Sequence, residues 1–427
     1  MTDIRTAASR GALSADRAER LDAADPLAPF LDRFVPLEPG LIYLDGNSLG
    51  RLPQATVERL HVAVTEEWGH GLIRSWARWI ELARTVGDEL AVGVLGARPG
   101  QVIVSDSTTV NLYKLAAAAL DARPDRTAIV VEADNFPTDL YVFQGLAAAR
   151  GLDLRVVPSD LDRGPDLDRL RAAVDGQVAL VSLSHVGYRS GAVVDMVAVN
   201  AMAREAGAWT LWDLSHSAGS VPVPLAASGA DLAVGCTYKY LNGGPGAPAF
   251  LYVRTDLQPT LRQPIWGWFG QADQFAMDAA YRPQPGIERF TVGTPNVLGL
   301  YAVREGVRLV AEAGIDRLRA KGMALTSYAV ELADAWLAPL GFTLASPREA
   351  ERRGGHVTLH HPDAWQVCQA AIARNVVPDY RTPDRIRLGL AALTTSFGDV
   401  WAAMDRLRRL VEAGEHTAFP REPARVT

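Results

Sequence analysis

Trp209-Thr210-Leu211-Trp212-Asp213-Leu214-Ser215-His216-Ser217 and Leu232-Ala233-Val234-Gly235-Cys236-Thr237-Tyr238-Lys239-Tyr240-Leu241-Asn242-Gly243-Gly244-Pro245-Gly246 share one design. Each is a short apolar run that ends abruptly in polar, chemistry-bearing residues. Outward from these, apolar runs rich in Val and Ile predict further strands over 102–105, 127–132, 153–157 and 178–184. Helical periods over 110–120, 138–150 and 194–205 fall between them. Strands alternating with helices imply βαβ units and a mostly parallel sheet covered on both faces, an α/β fold. Residues 248–253 are expected to close that sheet as an edge or antiparallel strand.

After Pro295 the pattern changes to long helices, 297–312 and 315–337, followed by short strand-like runs at 342–345, 355–359 and 385–390. Three parts are expected: an N-terminal arm or lid over 1–40, a large α/β domain over 41–300, and a small α+β domain over 301–427. No internal repeat or low-complexity segment interrupts them.

Composition narrows the function class. The 427 residues are 48% hydrophobic and 22% charged, with a net charge of −6, so nothing marks a nucleic-acid or anionic-membrane surface. Arg5, Arg10, Asp16, Arg17, Glu19 and Arg20 interleave near the N-terminus with no apolar stretch after them, unlike a secretory signal. Apolar runs such as Ala128-Ile129-Val130-Val131 are too short to span a bilayer. The two cysteines, Cys236 and Cys368, have no CxxC spacing. A cytoplasmic protein without disulfides follows. His356, His360 and His361 lack an accompanying carboxylate or thiolate cluster, and no metal site is expected.

In an open α/β sheet, ligands gather at the carboxyl ends of the strands. After the strand at 102–105 come Ser107-Thr108-Thr109, which open a helix. Their hydroxyls and the free N–H groups suit an anion, although plain N-capping explains them too. The later strands deliver Asn135-Phe136-Pro137-Thr138-Asp139, then Ser184-His185, then Asp213 to Ser217, then Thr237-Tyr238-Lys239. Pyridoxal 5′-phosphate (PLP) chemistry needs a carboxylate at the pyridine nitrogen, a lysine for the aldehyde and donors for the phosphate. Asp213 and Lys239, at successive strand ends with a glycine-rich turn behind, meet the first two needs, and Ser107 to Thr109 the third. Taken singly, Asp213 is an ordinary helix cap and Lys239 a solvated lysine. Their joint placement favours the cofactor. The turn at Asn242 to Gly246 lacks GxxxxGK[ST] and is no P-loop.

Four strings, Leu44-Asp45-Gly46-Asn47-Ser48-Leu49-Gly50, Asn135-Phe136-Pro137-Thr138-Asp139-Leu140-Tyr141, Trp212 to Gly219 and Gly235 to Gly246, closely resemble kynureninase. The resemblance runs from about residue 25 to about residue 412. It implies a fold-type-I PLP enzyme, a homodimer with sites at the subunit boundary. Such an enzyme hydrolyses the Cβ–Cγ bond of L-kynurenine, 3-hydroxykynurenine or a ring-modified relative to an anthranilate and L-alanine. Its setting is either tryptophan catabolism (the kynurenine pathway towards NAD biosynthesis) or a specialised biosynthetic route. By the same resemblance Lys239 carries the cofactor as a Schiff base, Asp213 pairs with the pyridinium and Phe136 stacks on the ring. Thr108, Thr109 and Tyr238 contact the phosphate, with Trp268 and Thr294 reaching over from a second subunit. Asp139, Ser184 and His216 complete the cofactor shell. Arg387 grips the substrate carboxylate, while Trp76, Ser48 and Trp266 belong to the substrate pocket. Tyr238 joins Lys239 and Asp213 as a catalytic candidate, either carrying protons or only binding phosphate. Rival readings are another fold-type-I activity (aminotransfer, desulfuration or another lyase reaction on a γ-oxo amino acid) and a non-catalytic PLP-binding protein. Desulfuration needs a mobile loop cysteine, and Cys368 lies in an amphipathic helical run.

The sequence departs from the family pattern where the substrate ring should lie. Ser75-Trp76-Ala77-Arg78-Trp79 is two residues short, Trp266 stands for a common Ser, and Gln271 for a usual His. Thr394 replaces an aromatic, and Gly187 a typical Asn. Neutral drift and a reshaped acyl pocket both explain these changes.

Overall fold

The computed structural model describes residues 13–422. Arg5 and Arg10, part of the expected arm, and the last five residues of the chain lie outside them. Seven strands form the main sheet: β1 Val102–Val104, β2 Ala128–Glu132, β3 Asp153–Val157, β4 Val178–Ser184, β5 Trp209–Asp213, β6 Leu232–Gly235 and β7 Phe250–Val253. Their spatial order is β1-β7-β6-β5-β4-β2-β3. All neighbouring pairs from β3 to β6 are parallel, while β7 runs antiparallel to both β6 and β1. Residues 248–253 are therefore antiparallel, as one expectation had it, but not an edge. The strand slots between β6 and β1, and β1 takes the edge.

Every residue of β1, β2, β4, β6 and β7 is buried, which is what a sheet covered on both faces requires. Helices Thr108–Asp121, Pro137–Arg150 and Met196–Glu205 supply the cover. Each buried Val, Leu or Ile contributes about 1.5–3 kcal/mol, so the strand run itself drives the layering. Ser107 caps the first of these helices, its hydroxyl accepting from the Val110 N–H at 3.3 Å. Asp106 just before it is left-handed at φ 51°. Its carboxylate pairs at 2.6 Å with the fully buried Lys114, which also donates to the Phe290 carbonyl at 2.6 Å. One buried cation thus ties the strand–helix junction to the segment after residue 286.

A second, antiparallel sheet contains β8 Thr343–Leu344, β9 His356–His360, β10 Asp379–Arg381 and β11 Arg385–Gly389, in the order β8-β9-β11-β10. It packs with helices Ile315–Leu332, Ala364–Ala373 and Phe397–Glu412 around its own core. The first long C-terminal helix, Val297–Ala313, instead buries Leu300, Val303, Val307 and Val310 in the larger core. The second, expected to run to 337, ends as an α-helix at Leu332 and continues as a wider turn over Ala333–Leu337.

The segment 13–40, expected as an arm or lid, is packed down on both cores. Ala18 joins the smaller core, and Leu27 and Phe34 the larger. Asp22 accepts from the Phe397 and Gly398 N–H groups at the start of the last long helix, and Asp25 pairs with the buried Lys321 at 2.6 Å. No helix among the described residues is long and apolar enough to cross a membrane.

Candidate active site

The carboxyl ends of β1, β2, β4, β5 and β6 converge on a cavity of about 240 Å³. Thr108, Thr109, Phe136, Asp139, Ser184, Asp213, His216, Tyr238 and Lys239 all line it, with Ser107, Thr138, Tyr188 and Ser215. Parallel pairing sets Ser184 opposite Asp213, so consecutive strands present consecutive polar groups. Lys239 stays in place partly through Gly50: its N–H donates to the Tyr238 carbonyl at 2.8 Å, and a Cβ there would lie 2.2 Å from the Lys239 carbonyl oxygen.

The cavity wall is rich in groups that burial has pushed off their ordinary titration. Asp213 is buried and accepts from the Ser215 N–H at 2.7 Å; burial raises its pKa despite that bond and the Lys239 charge. Burial also depresses the Lys239 ammonium, with Arg387 and Arg381 acting the same way. Lys239 Nζ lies 2.9 Å from His216 Nε2, and burial followed by the Lys239 charge keeps His216 well below its usual range, in the neutral form. Asp139 is raised by burial and then by the neighbouring Asp213 and Glu132 charges. Tyr238 is raised, again chiefly by burial.

A second constellation sits where the small sheet meets the Leu44–Gly50 string. Arg387 is fully buried and donates from Nη1 to the Tyr188 carbonyl at 2.6 Å, and from Nη2 to Ser48 Oγ at 2.7 Å and to Asp379. Its Nε donates to the Asn47 amide oxygen at 2.9 Å once that amide is oriented to satisfy both its ends. Asp45 is raised to about 6 by burial and by the Asp379 charge.

Comparison with known proteins places this geometry. The description "Kynureninase C-terminal domain" matches residues 318–407. A kynureninase of Pseudomonas fluorescens is 45% identical over 400 residues, 92% of this chain and 94% of its own. One of Burkholderia pseudomallei is 45% identical over 407 residues, 93% of this chain and 95% of its own. The chain belongs to the kynureninase family. Solved structures share its fold at lower identity. A cysteine desulfurase from Thermococcus onnurineus superposes with a TM-score of 0.78 at 21% identity, covering 90% of this chain and 98% of its own. The Escherichia coli desulfurase CsdA gives 0.78 at 18%, covering 91% and 98%.

The cofactor of the kynureninase family fits what this cavity leaves unsatisfied. Asp213 is a buried carboxylate with no cation in contact, which suits a protonated ring nitrogen. Asp139 Oδ2 and His216 Nδ1 are buried without a hydrogen-bond partner among the described residues and can serve polar substituents of a bound ring. The N-terminus of helix Thr108–Asp121, with Ser107 and Thr109 exposed, offers N–H and hydroxyl donors that suit a phosphate. Phe136 stands at the rim, edge-on to Tyr188 at 5.4 Å.

Besides Arg387 and Ser48, four expected site residues lie apart from this cavity within the chain. Thr294 lines an adjoining cavity of about 640 Å³ that shares Ser107, Thr108 and Tyr238 with the first. Trp268 is 42% exposed and packs edge-on to Phe269 at 4.6 Å. Trp76 packs between Trp79 and Phe269 at 5.7 and 6.1 Å. Trp266 is 60% exposed, stacks on Tyr281 at 5.0 Å and lines a small separate pocket with Arg262 and Arg289. Gln271, one of the departures, is buried and accepts from the Arg282 N–H at 2.6 Å, so here it holds a loop together.

Other groups were missed. Glu132 is buried behind Ser184, accepts its N–H at 2.8 Å and is raised to about 8 by burial. Asn135 accepts from Ser184 Oγ at 2.8 Å. Asp379 and Arg381 flank Arg387, and His356 is buried 5.5 Å from the His216 ring. A carboxylate closing an apolar strand run was the available signal for Glu132. The cluster round Arg387 had none, because it depends on pairing between β10 and β11. Both cysteines are buried, Cys368 on helix Ala364–Ala373, and no metal-binding group of His, Cys, Asp and Glu occurs among the described residues.

Proposed function

We propose that the chain is a PLP-dependent hydrolase that converts kynurenine and water into anthranilate and L-alanine, with L-kynurenine, 3-hydroxykynurenine or a ring-modified kynurenine as substrate. Membership of the family carries the reaction class. The observation in this chain that carries the chemistry is the convergence of Asp213 and Lys239, from neighbouring strands, on one polar cavity beside a helix N-terminus.

PLP, when bound, supplies the electron sink that delocalises charge left at the substrate Cα. Ser107, Thr108, Thr109 and Tyr238 would hold its phosphate and Asp213 its ring nitrogen, with Phe136, Asp139, Ser184 and His216 lining the rest of the cavity. The Asp213 carboxylate keeps the ring nitrogen protonated. Arg387 fixes the substrate carboxylate and with it the direction of the Cα–H bond. Lys239 Nζ, its pKa depressed and a neutral imidazole at 2.9 Å, accepts that proton as a general base. Both groups line the cavity, and we assign them the later proton transfers: the Lys239 amine, its pKa depressed, is the base for the water that adds at Cγ, and the Tyr238 hydroxyl, its pKa raised, is the acid that protonates the alanine fragment at Cβ.

We further propose a homodimer in which Trp268, Thr294 and Trp266 serve the neighbouring subunit's site. The exposure of the large apolar side chains Trp68, Leu72 and Ile73, close in sequence, supports it. The three-part division (1–40, 41–300, 301–427), a cytoplasmic location and a role in tryptophan catabolism are held on the same footing. Mixing the holoenzyme with L-kynurenine tests the function: equal amounts of anthranilate and L-alanine are expected. An oxo acid with stoichiometric loss of the pyridoxal form contradicts it and points to transamination.

A further inference from the structure

Bidentate capture of a carboxylate needs two free N–H groups on one edge of a guanidinium. Arg387 cannot offer them as it stands. Of its five N–H groups, four are engaged: one by Asn47, one by the Tyr188 carbonyl, one by Ser48 and one by Asp379. One Nη1 hydrogen is left. The side chain is also 1% exposed, so a ligand reaches it from a single direction.

A second guanidinium stands beside it. Arg381 pairs with the same oxygen of Asp379 at 2.9 Å and donates to the same Ser48 hydroxyl at 3.4 Å. Unlike Arg387, its side chain is 32% exposed, and its Nε is buried without a hydrogen-bond partner among the described residues. Its charge acts on Tyr188, Tyr238 and Lys239, all of which line the cofactor cavity. The backbone explains the arrangement: in the β10–β11 ladder Asp379 pairs with Arg387, and Arg381 follows two residues later on the same face of its strand.

We propose that Arg381 is the second half of the substrate-carboxylate grip. Arg387 donates its remaining N–H to one carboxylate oxygen and Arg381 donates to the other. Asp379, 2% exposed, orients both guanidinium groups and neutralises one of the two charges. Asp45 lies 3.9 Å from Arg387 with its pKa raised to about 6, so it too offsets part of the guanidinium charge. Neither arginine alone supplies the two-point contact. This rests on the proposed hydrolase reading, in which the carboxylate end of the substrate faces Arg387.

The test is binding to the PLP-loaded dimer, read from its visible spectrum, with two ligands: L-alanine, and the analogue of kynurenine that lacks the α-carboxyl group. Losing one charge-assisted contact weakens a ligand roughly 10- to 100-fold. Arg381→Gln is expected to weaken L-alanine by that factor and raise KM for kynurenine in parallel. It leaves kcat within a few-fold and affinity for the carboxyl-free analogue unchanged, and Arg381→Lys restores part of the alanine affinity. Unchanged alanine affinity in Arg381→Gln overturns the proposal. So does equal weakening of both ligands, which assigns Arg381 a structural role only. If the parent protein releases no alanine from kynurenine, the hydrolase reading falls. The comparison of the two ligands still reports on Arg381.

Discussion

Two regions of the molecule were built by different means. The cavity floor is made of strand ends: Asp139, Ser184, Asp213 and Lys239 follow β2, β4, β5 and β6, which pair in parallel, while Thr108 follows β1, joined to them through antiparallel β7. The segment 262–296 has no strand of the main sheet, and its Trp266, Trp268, Phe275 and Met277 remain 60%, 42%, 66% and 73% exposed. In the floor, hydrogen bonding between strands fixes the points from which these groups project. In the outer segment the aromatic rings are held by one another and are left to meet a neighbouring surface. Under the proposed function, chemistry belongs to the first region and substrate preference to the second.

The largest expected effect lies beside the floor, where Arg387 donates to the carbonyl of Tyr188 in its lining. Arg387→Lys removes a planar, already oriented guanidinium and should cost about 2–3 kcal/mol, on the order of a hundredfold in kcat/KM. The visible spectrum of bound PLP should not change. Steady-state kinetics beside a cofactor titration checks both, and an unaltered kcat/KM removes Arg387 from the carboxylate site.

The floor itself should show a pH signature. Glu132 is raised to about 8 in the fold by burial, far above an unfolded glutamate. The folded state then holds a proton that the unfolded chain has lost. Glu132 therefore stabilises fully below about pH 4.5, and that contribution declines as pH rises, reaching its minimum above about 8. Glu132→Gln keeps an acceptor for the Ser184 N–H and cannot ionise. Melting curves of the cofactor-free protein should coincide with the parent near pH 5 and lie above it near pH 8.5. The difference should correspond to roughly 2 kcal/mol or more. Parallel curves for the two proteins across that range would place a charged Glu132 in the fold.

The smallest effect concerns the outer segment. A methylene-sized misfit in an apolar pocket is worth about 1–3 kcal/mol. Trp266→Ser should therefore reorder kcat/KM among kynurenine, 3-hydroxykynurenine and other ring-substituted analogues without abolishing any. An identical ranking in parent and variant frees Trp266 of any role in specificity. The comparison would then lose its second half.

How far the chain could be read in advance follows the same divide. Strand ends announce themselves locally, since an apolar run stops and a polar residue follows. That is why Asp213, Lys239 and the Ser107–Thr109 hydroxyls were legible. Insertion of Phe250–Val253 between two strands is a long-range choice with no local mark, and it left the edge to Val102–Val104. Glu132 reads as the tail of a strand until folding places Ser184 against it. Asp379 and Arg381 acquire meaning only through their ladder with β11, and the docking of 13–40 depends on contacts with residues some three hundred positions away, such as Lys321.

The central claim is that Lys239 carries the cofactor above Asp213, and chemical trapping tests it most directly. Borohydride reduction of the PLP-loaded protein, followed by peptide mapping, should place the label on the Lys239 peptide alone, and Lys239→Ala should take none. A label on any other lysine, or a reducible protein-bound cofactor in Lys239→Ala, would contradict the account.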